Sequence, residues 1–166
     1  MKEAGTQAFK EKKYSEARGY YTKAINLYLH FISTHRIPKA EHALWLKITQ
    51  CYTNRCLCNH HLGDPTSILE DADYVLSQLD KRNQKALFRR KEVYKQQQKW
   101  SDCLRDLDLL LQIEPTDALK KEIKETFTLH TDQKKREAEE KKKNMEAEHS
   151  EYKKVARSDI KAKVLD

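Results

Sequence analysis

A two-helix unit recurs three times along this chain, and that recurrence limits the fold more than any single residue does. The strings Tyr14-Ser-Glu-Ala17, Pro65-Thr-Ser-Ile68 and Trp100-Ser-Asp-Cys103 each open the second helix of a unit, at offsets of 51 and 35 residues. The second offset is one repeat; the first is one repeat plus an insertion of about 16 residues around positions 33–38. With three glycines and three prolines in 166 residues and 36% charged side chains, long helices joined by few turns are expected, and the fold class is all-α.

Taken in order, residues 1–11 and 14–31 make the first pair, parted at Lys10-Glu-Lys-Lys13. Ala17, Tyr21, Ala24 and Tyr28 recur at i, i+4, i+7 and i+11, one apolar stripe that must be buried. Residues 33–38 are expected to be a loop, by their polarity and Pro38. A helix from about residue 39 to 61 carries Leu44, Ile48, Cys51 and Cys58, and Gly63-Asp-Pro65 turns it into one striped by Ile68, Ala72, Val75 and Leu76. The third unit opens at Asn83-Gln-Lys-Ala-Leu-Phe-Arg-Arg90, runs through Cys103, Leu107, Leu110 and Ile113, and stops at Glu114-Pro115.

This divides the chain into repeats over residues 1–117 (about 1–32, 40–80 and 83–115), a capping stretch over 118–130 and a charged tail over 131–166. Leu119, Ile123 and Phe127, at i, i+4 and i+8, are expected to cover the open apolar face of the last repeat. The tail lacks glycine and proline and should continue the same helix, projecting and solvated. Ala138, Met145 and Tyr152 recur every seven residues, a thin seam for weak self-association.

Several function classes drop out. The net charge of +7 divides into +3 over residues 118–166 and +4 over the rest, a mixed-charge surface without a polybasic arm, which argues against nucleic acid. No apolar run is long enough to span a membrane and Met1-Lys-Glu-Ala is no signal peptide, so a soluble cytoplasmic protein is expected. Cys51, Cys56, Cys58, His60 and His61 include no tight Cys-x-x-Cys pair; within one helix Cys56 and Cys58 lie about 200° apart, and Cys51 and Cys58 share a face but stand two turns apart. Buried reduced thiols are therefore expected in place of a metal site. No phosphate loop, nucleophile-base pair or paired carboxylates can be placed, so neither an enzyme nor a cofactor is expected.

The strings Lys2-Glu-Ala-Gly5-Thr6-Gln-Ala-Phe9, Tyr52-Thr-Asn54-Arg55, Leu62-Gly63-Asp64 and Lys85-Ala-Leu-Phe-Arg89-Arg90 resemble the three-repeat tetratricopeptide domain of chaperone cofactors, over residues 1–130. The likeness is greatest to the immunophilin and cyclophilin-40-like group. It implies a right-handed superhelix with a long seventh helix, and a groove lined by the first helix of each repeat. An acidic peptide ending in Glu-Glu-Val-Asp, from chaperones of the 90 kDa or 70 kDa class, would lie there in a carboxylate clamp. Carried over by position, the clamp residues are Lys2, Thr6, Asn54, Lys85 and Arg89, with Thr6 standing where the family has asparagine. Their chemistry suits the ligand: lysine offers a flexible charge, arginine a planar fork, and asparagine a neutral donor that adds no repulsion. The alternatives are a scaffold that binds an internal segment or a folded partner, with the tail as spacer or dimerisation arm, and a fragment of a prolyl isomerase.

Overall fold

One left-handed residue turns the chain back inside each helix pair: Lys12 at φ 60°, Gly63 at φ 67° and Gln98 at φ 56°. They stand 51 and 35 residues apart, the repeat offsets, so the turn recurs in geometry although only one of the three is glycine. The structure is a computed structural model describing residues 1–38 and 42–165, with side chains to residue 153. Its helices are α1 (Lys2–Lys10), α2 (Tyr14–His35), α3 (His42–His61), α4 (Pro65–Tyr74), α5 (Gln84–Gln96), α6 (Trp100–Ile113) and α7 (Asp117–Leu165), and a π-type turn over Val75–Leu79 extends α4. No strand occurs among the described residues.

Side-chain caps start three of these helices. Asp64 accepts from the Ser67 amide (3.1 Å) and hydroxyl (2.8 Å) ahead of Pro65 in α4. The side-chain Oδ1 of Asn83 accepts from the Ala86 amide (3.1 Å) and caps α5, and the Thr116 hydroxyl oxygen accepts from the Leu119 amide (3.2 Å) in α7. Each cap satisfies an amide that the first turn leaves without a helical partner.

Residues Met1–Thr126 form one compact unit. Each helix from α1 to α6 packs on the next, and α3 also packs on α5, which sets first helices side by side. Small residues permit this closeness: Ala17, Cys56, Cys58, Ala72, Ala86 and Cys103 are wholly buried. A Cβ on Gly5 would lie 2.9 Å from the Tyr21 ring, so glycine is what lets that ring rest on α1.

Two arginines tie the repeats together. Arg55 of α3 donates from Nε and Nη2 to the two oxygens of Asp71 on α4 (2.9 and 2.6 Å), and from Nη1 to the Thr22 hydroxyl on α2 (3.0 Å). Arg90 of α5 repeats the arrangement, with both oxygens of Asp106 on α6 (2.8 and 2.6 Å) and with Asp73 on α4 (2.6 Å). Each fork clasps the second helix of its own repeat and reaches back to that of the repeat before.

Two sequence expectations are corrected. The loop expected over 33–38 begins later, because α2 runs to His35: the Ser33 and Thr34 hydroxyls donate to the His30 carbonyl and stay within the helix. Left-handed Arg36 then ends it, its amide bonded to the Ile32 carbonyl. The expected start of the next helix at residue 39 lies outside the described residues. In α7, Leu119 and Ile123 are half-buried, but Phe127 is 58% exposed and Thr126 is buried in its stead. Eight residues rotate a side chain roughly 80° away from Leu119, whereas seven bring it back almost into line.

A buried ion cluster joins α7 to α5. Lys91, 2% exposed, donates to both oxygens of Glu122 (2.7 Å each), which also accepts from Lys95 (3.0 Å). Burial disfavours the Glu122 carboxylate, yet the bonds from Lys91 and Lys95 outweigh it and hold its pKa below the ordinary glutamate value. The second unit begins at Phe127 and contains the remainder of α7. In it Met145 and Tyr152 are exposed.

Two stability predictions follow from these contacts. Asp106→Ala leaves the Arg90 fork half-buried and without its main partner, and should lower unfolding stability in urea by about 3 kcal/mol. Gln98→Gly relieves a left-handed residue and should raise stability by about 1 kcal/mol in the same titration.

Candidate functional site

Helix α5 shows Lys85, Phe88 and Arg89 on one face, at i, i+3 and i+4, while Arg90 and Lys91 turn toward α6 and α7. Across from that face lies α3 with Asn54 and Leu57, and together they enclose a cavity of 460 Å³. Leu110, Glu114 and Leu119 close it on the side of α6 and α7. The space combines an apolar floor with convergent donors, an arrangement suited to binding.

Which cations remain available is decided by the ion pairs. Arg55, Arg90 and Lys91 carry carboxylate partners at 2.6–2.9 Å and serve the fold. Among the described residues neither Lys85 nor Arg89 forms an ion pair; Arg89 lies over the Phe88 ring, 5.6 Å from its centre. Lys85 is exposed, and Arg89 and Asn54 are half-buried.

Lys2 and Thr6 do not line this cavity. Lys2 donates from Nζ to Gln50 Oε1 (2.7 Å), one helical turn before Asn54 on α3. Thr6 donates its hydroxyl proton to the Lys2 carbonyl (3.2 Å) and lies 3.2 Å from the Tyr21 hydroxyl. Burial pushes the Tyr21 phenol up, and hydrogen bonding with Thr6 and Asn54 pulls it part of the way back. Tyr21 thus stands between Thr6 on α1 and Asn54 on α3. The structure brings Asn54, Lys85 and Arg89 together directly and attaches Lys2 and Thr6 through Gln50 and Tyr21.

Phe88 and Glu114 line the cavity and Gln50 holds Lys2, roles that the sequence did not suggest. Gln50 could have been found by stepping back one turn from Asn54, and Phe88 by its place between Lys85 and Arg89. Glu114 carries no such signal, since beside Pro115 it reads only as a helix stop.

The cysteines and histidines serve packing. All four thiols are buried, and burial pushes Cys58 and Cys103 up to about 11 and Cys56 higher still, so they stay protonated. His61 stacks on Tyr14 at 4.2 Å and meets the Phe9 ring edge-on, closing the first repeat against α3. Among the described residues no three His, Cys, Asp or Glu side chains are grouped to hold a metal ion, and no helix is long and apolar enough to cross a membrane.

No protein-family model matches the chain. Sperm-associated antigen 1 of Mus musculus is 34% identical over 117 residues, which are 70% of this chain and 11% of that protein. The peptidyl-prolyl cis-trans isomerase FKBP4 of Bos taurus is 31% identical over 116 residues, 70% of this chain and 25% of that protein. This chain therefore spans a quarter or less of each of these relatives. Among solved structures, the first tetratricopeptide domain of Spaghetti (RPAP3), bound to the HSP90 peptide SRMEEVD, matches with a TM-score of 0.59 at 22% identity, covering 78% of this chain and 90% of that one. With its paired helices, its turns recurring at the repeat offsets and this structural match, the chain folds as a tetratricopeptide-repeat domain, similar in sequence to an immunophilin and to sperm-associated antigen 1.

Proposed function

We propose that the domain binds the acidic C-terminal peptide of heat-shock chaperones of the 90 kDa or 70 kDa class through Lys2, Asn54, Lys85 and Arg89, with Thr6 as a weakened fifth member. The observation that carries this is the pair of unmatched cations, Lys85 and Arg89, converging with Asn54 on one cavity in a fold that neutralises its other half-buried arginines. A peptide ending in aspartate presents two carboxylates, and the structurally similar Spaghetti domain is bound to such a peptide. Charge-assisted bonds contribute about 1.5–3 kcal/mol each, offset by several kcal/mol for association and for ordering an extended ligand. A modest, exchangeable affinity results. A role as an assembly scaffold has its own support in the exposed Met145 and Tyr152, seven residues apart on α7, as a contact for a second chain.

Calorimetric titration with a peptide ending in Glu-Glu-Val-Asp, beside its C-terminally amidated twin, separates the two roles. Binding should weaken with salt, be lost on amidation, and fall at least tenfold in Lys85→Ala and in Arg89→Ala. Equal binding of the amidated peptide would leave the scaffold role standing.

Thr6 gives a second test. Its hydroxyl proton is committed to the Lys2 carbonyl, so it has none for a ligand carboxylate. Thr6→Asn adds two N–H donors and should tighten peptide binding roughly three- to tenfold; an unchanged dissociation constant would show that position 6 does not touch the ligand.

A further inference from the structure

Glu114 gives the groove a negative end. It follows the last residue of α6, and its Oε2 accepts only a long bond from Gln84 Nε2 (3.4 Å), one residue before Lys85. It lines the same cavity as Lys85 and Arg89, yet neither is close enough to form an ion pair with it. Arg82 also comes to this end of α6, but it donates to the Gln112 carbonyl (3.2 Å) and leaves the carboxylate alone.

The position is electrostatically unfavourable within the chain. The C-terminal turn of a helix gathers partial negative charge on its free carbonyls, and basic side chains are favoured there. The last turn of α6 holds no basic residue and is followed by a carboxylate instead. Glu114 is exposed, and among the described residues no basic side chain pairs with it. A cation supplied from outside would.

Building on the peptide-binding role proposed above, we infer that Glu114 selects ligands carrying a basic side chain upstream of their acidic C-terminus. Helices α1, α3 and α5 bring lysine, amides and arginine in turn, and the connection from α6 to α7 follows with Glu114. A ligand whose carboxylates sit among Asn54, Lys85 and Arg89 sends its preceding residues toward that carboxylate. The charge order of the groove is then matched by a segment that is basic first and acidic last. A uniformly acidic tail would be repelled at the Glu114 end.

The test is a set of calorimetric titrations at low salt using the full chain, the peptide SRMEEVD and the same peptide with its arginine replaced by glutamate. The wild-type chain should bind the arginine form three- to tenfold more tightly, Glu114→Gln should bring the two affinities together, and Glu114→Lys should reverse their order. Circular dichroism of each variant verifies that the helices are retained. Equal binding of both peptides by the wild-type chain, or a preference that survives Glu114→Lys, would overturn the assignment to Glu114 while leaving the clamp intact. Binding of neither peptide by the wild-type chain would remove the clamp itself, and this selectivity with it.

Discussion

The bidentate arginine–aspartate pair between the two helices of a repeat is the interaction on which the rest of the domain depends. Arg55 with Asp71 and Arg90 with Asp106 lie one repeat apart in sequence and share the same geometry. The third nitrogen of each fork reaches the preceding second helix, at Thr22 or Asp73, and these acceptors are themselves separated by the longer offset of 51 residues. Asp106 is 1% exposed and Asp71 5%, so neither carboxylate could remain charged without its arginine. Such a pair contributes less to net stability than its distances suggest, because desolvation offsets much of the attraction. What it does enforce is register: a planar fork meets two oxygens in one orientation only.

That register also places the site. Asn54 and Arg89 occupy the same repeat position, and Arg55 and Arg90 the position after it. One residue along a helix turns a side chain by about 100°, so when the second of each couple is clamped against α4 or α6 the first is swung into the groove. Arginine at positions 89 and 90 looks redundant in sequence. In the fold one is paired and half-buried against α6, and the other keeps its charge for whatever enters the cavity.

Helix pairing, the buried stripes on α2 and α4 and the face shared by Lys85 and Arg89 were legible because they follow from periodicity within one helix. The Arg55 and Arg90 pairs were hidden, since Asp71 and Asp106 read as solvent-facing acids until the second helix is folded back on the first. Ser33 and Thr34 misled because their hydroxyls can serve either a loop or the helix that they join. Phe127 misled because spacing by four was extended to a third residue, where the drift of the helix had already carried it off the buried face. Lys91, nearly inaccessible, gave no sign in a run of charged residues that its partner would be Glu122, thirty-one positions on.

The two halves of the groove are therefore built on different principles. Lys85 and Arg89 stand on a helix that Asn83 caps and Asp106 holds through Arg90, and they project into the cavity from rigid backbone. Lys2 and Thr6 stand on a nine-residue helix, too short to be stable alone, whose place is set by the Tyr21 ring lying where Gly5 has no side chain. The same Tyr21 hydroxyl faces Thr6, 3.2 Å away, and Asn54. Packing of α1 and the polarity of the groove thus meet in one phenol: a displacement of the ring by a larger residue at position 5 would move α1 and uncouple Thr6 from Asn54 together. The α1 half of the groove rests on aromatic contacts, Tyr21 against Gly5 and Phe9 against Tyr14 and His61, whereas the α5 half is held by buried charge.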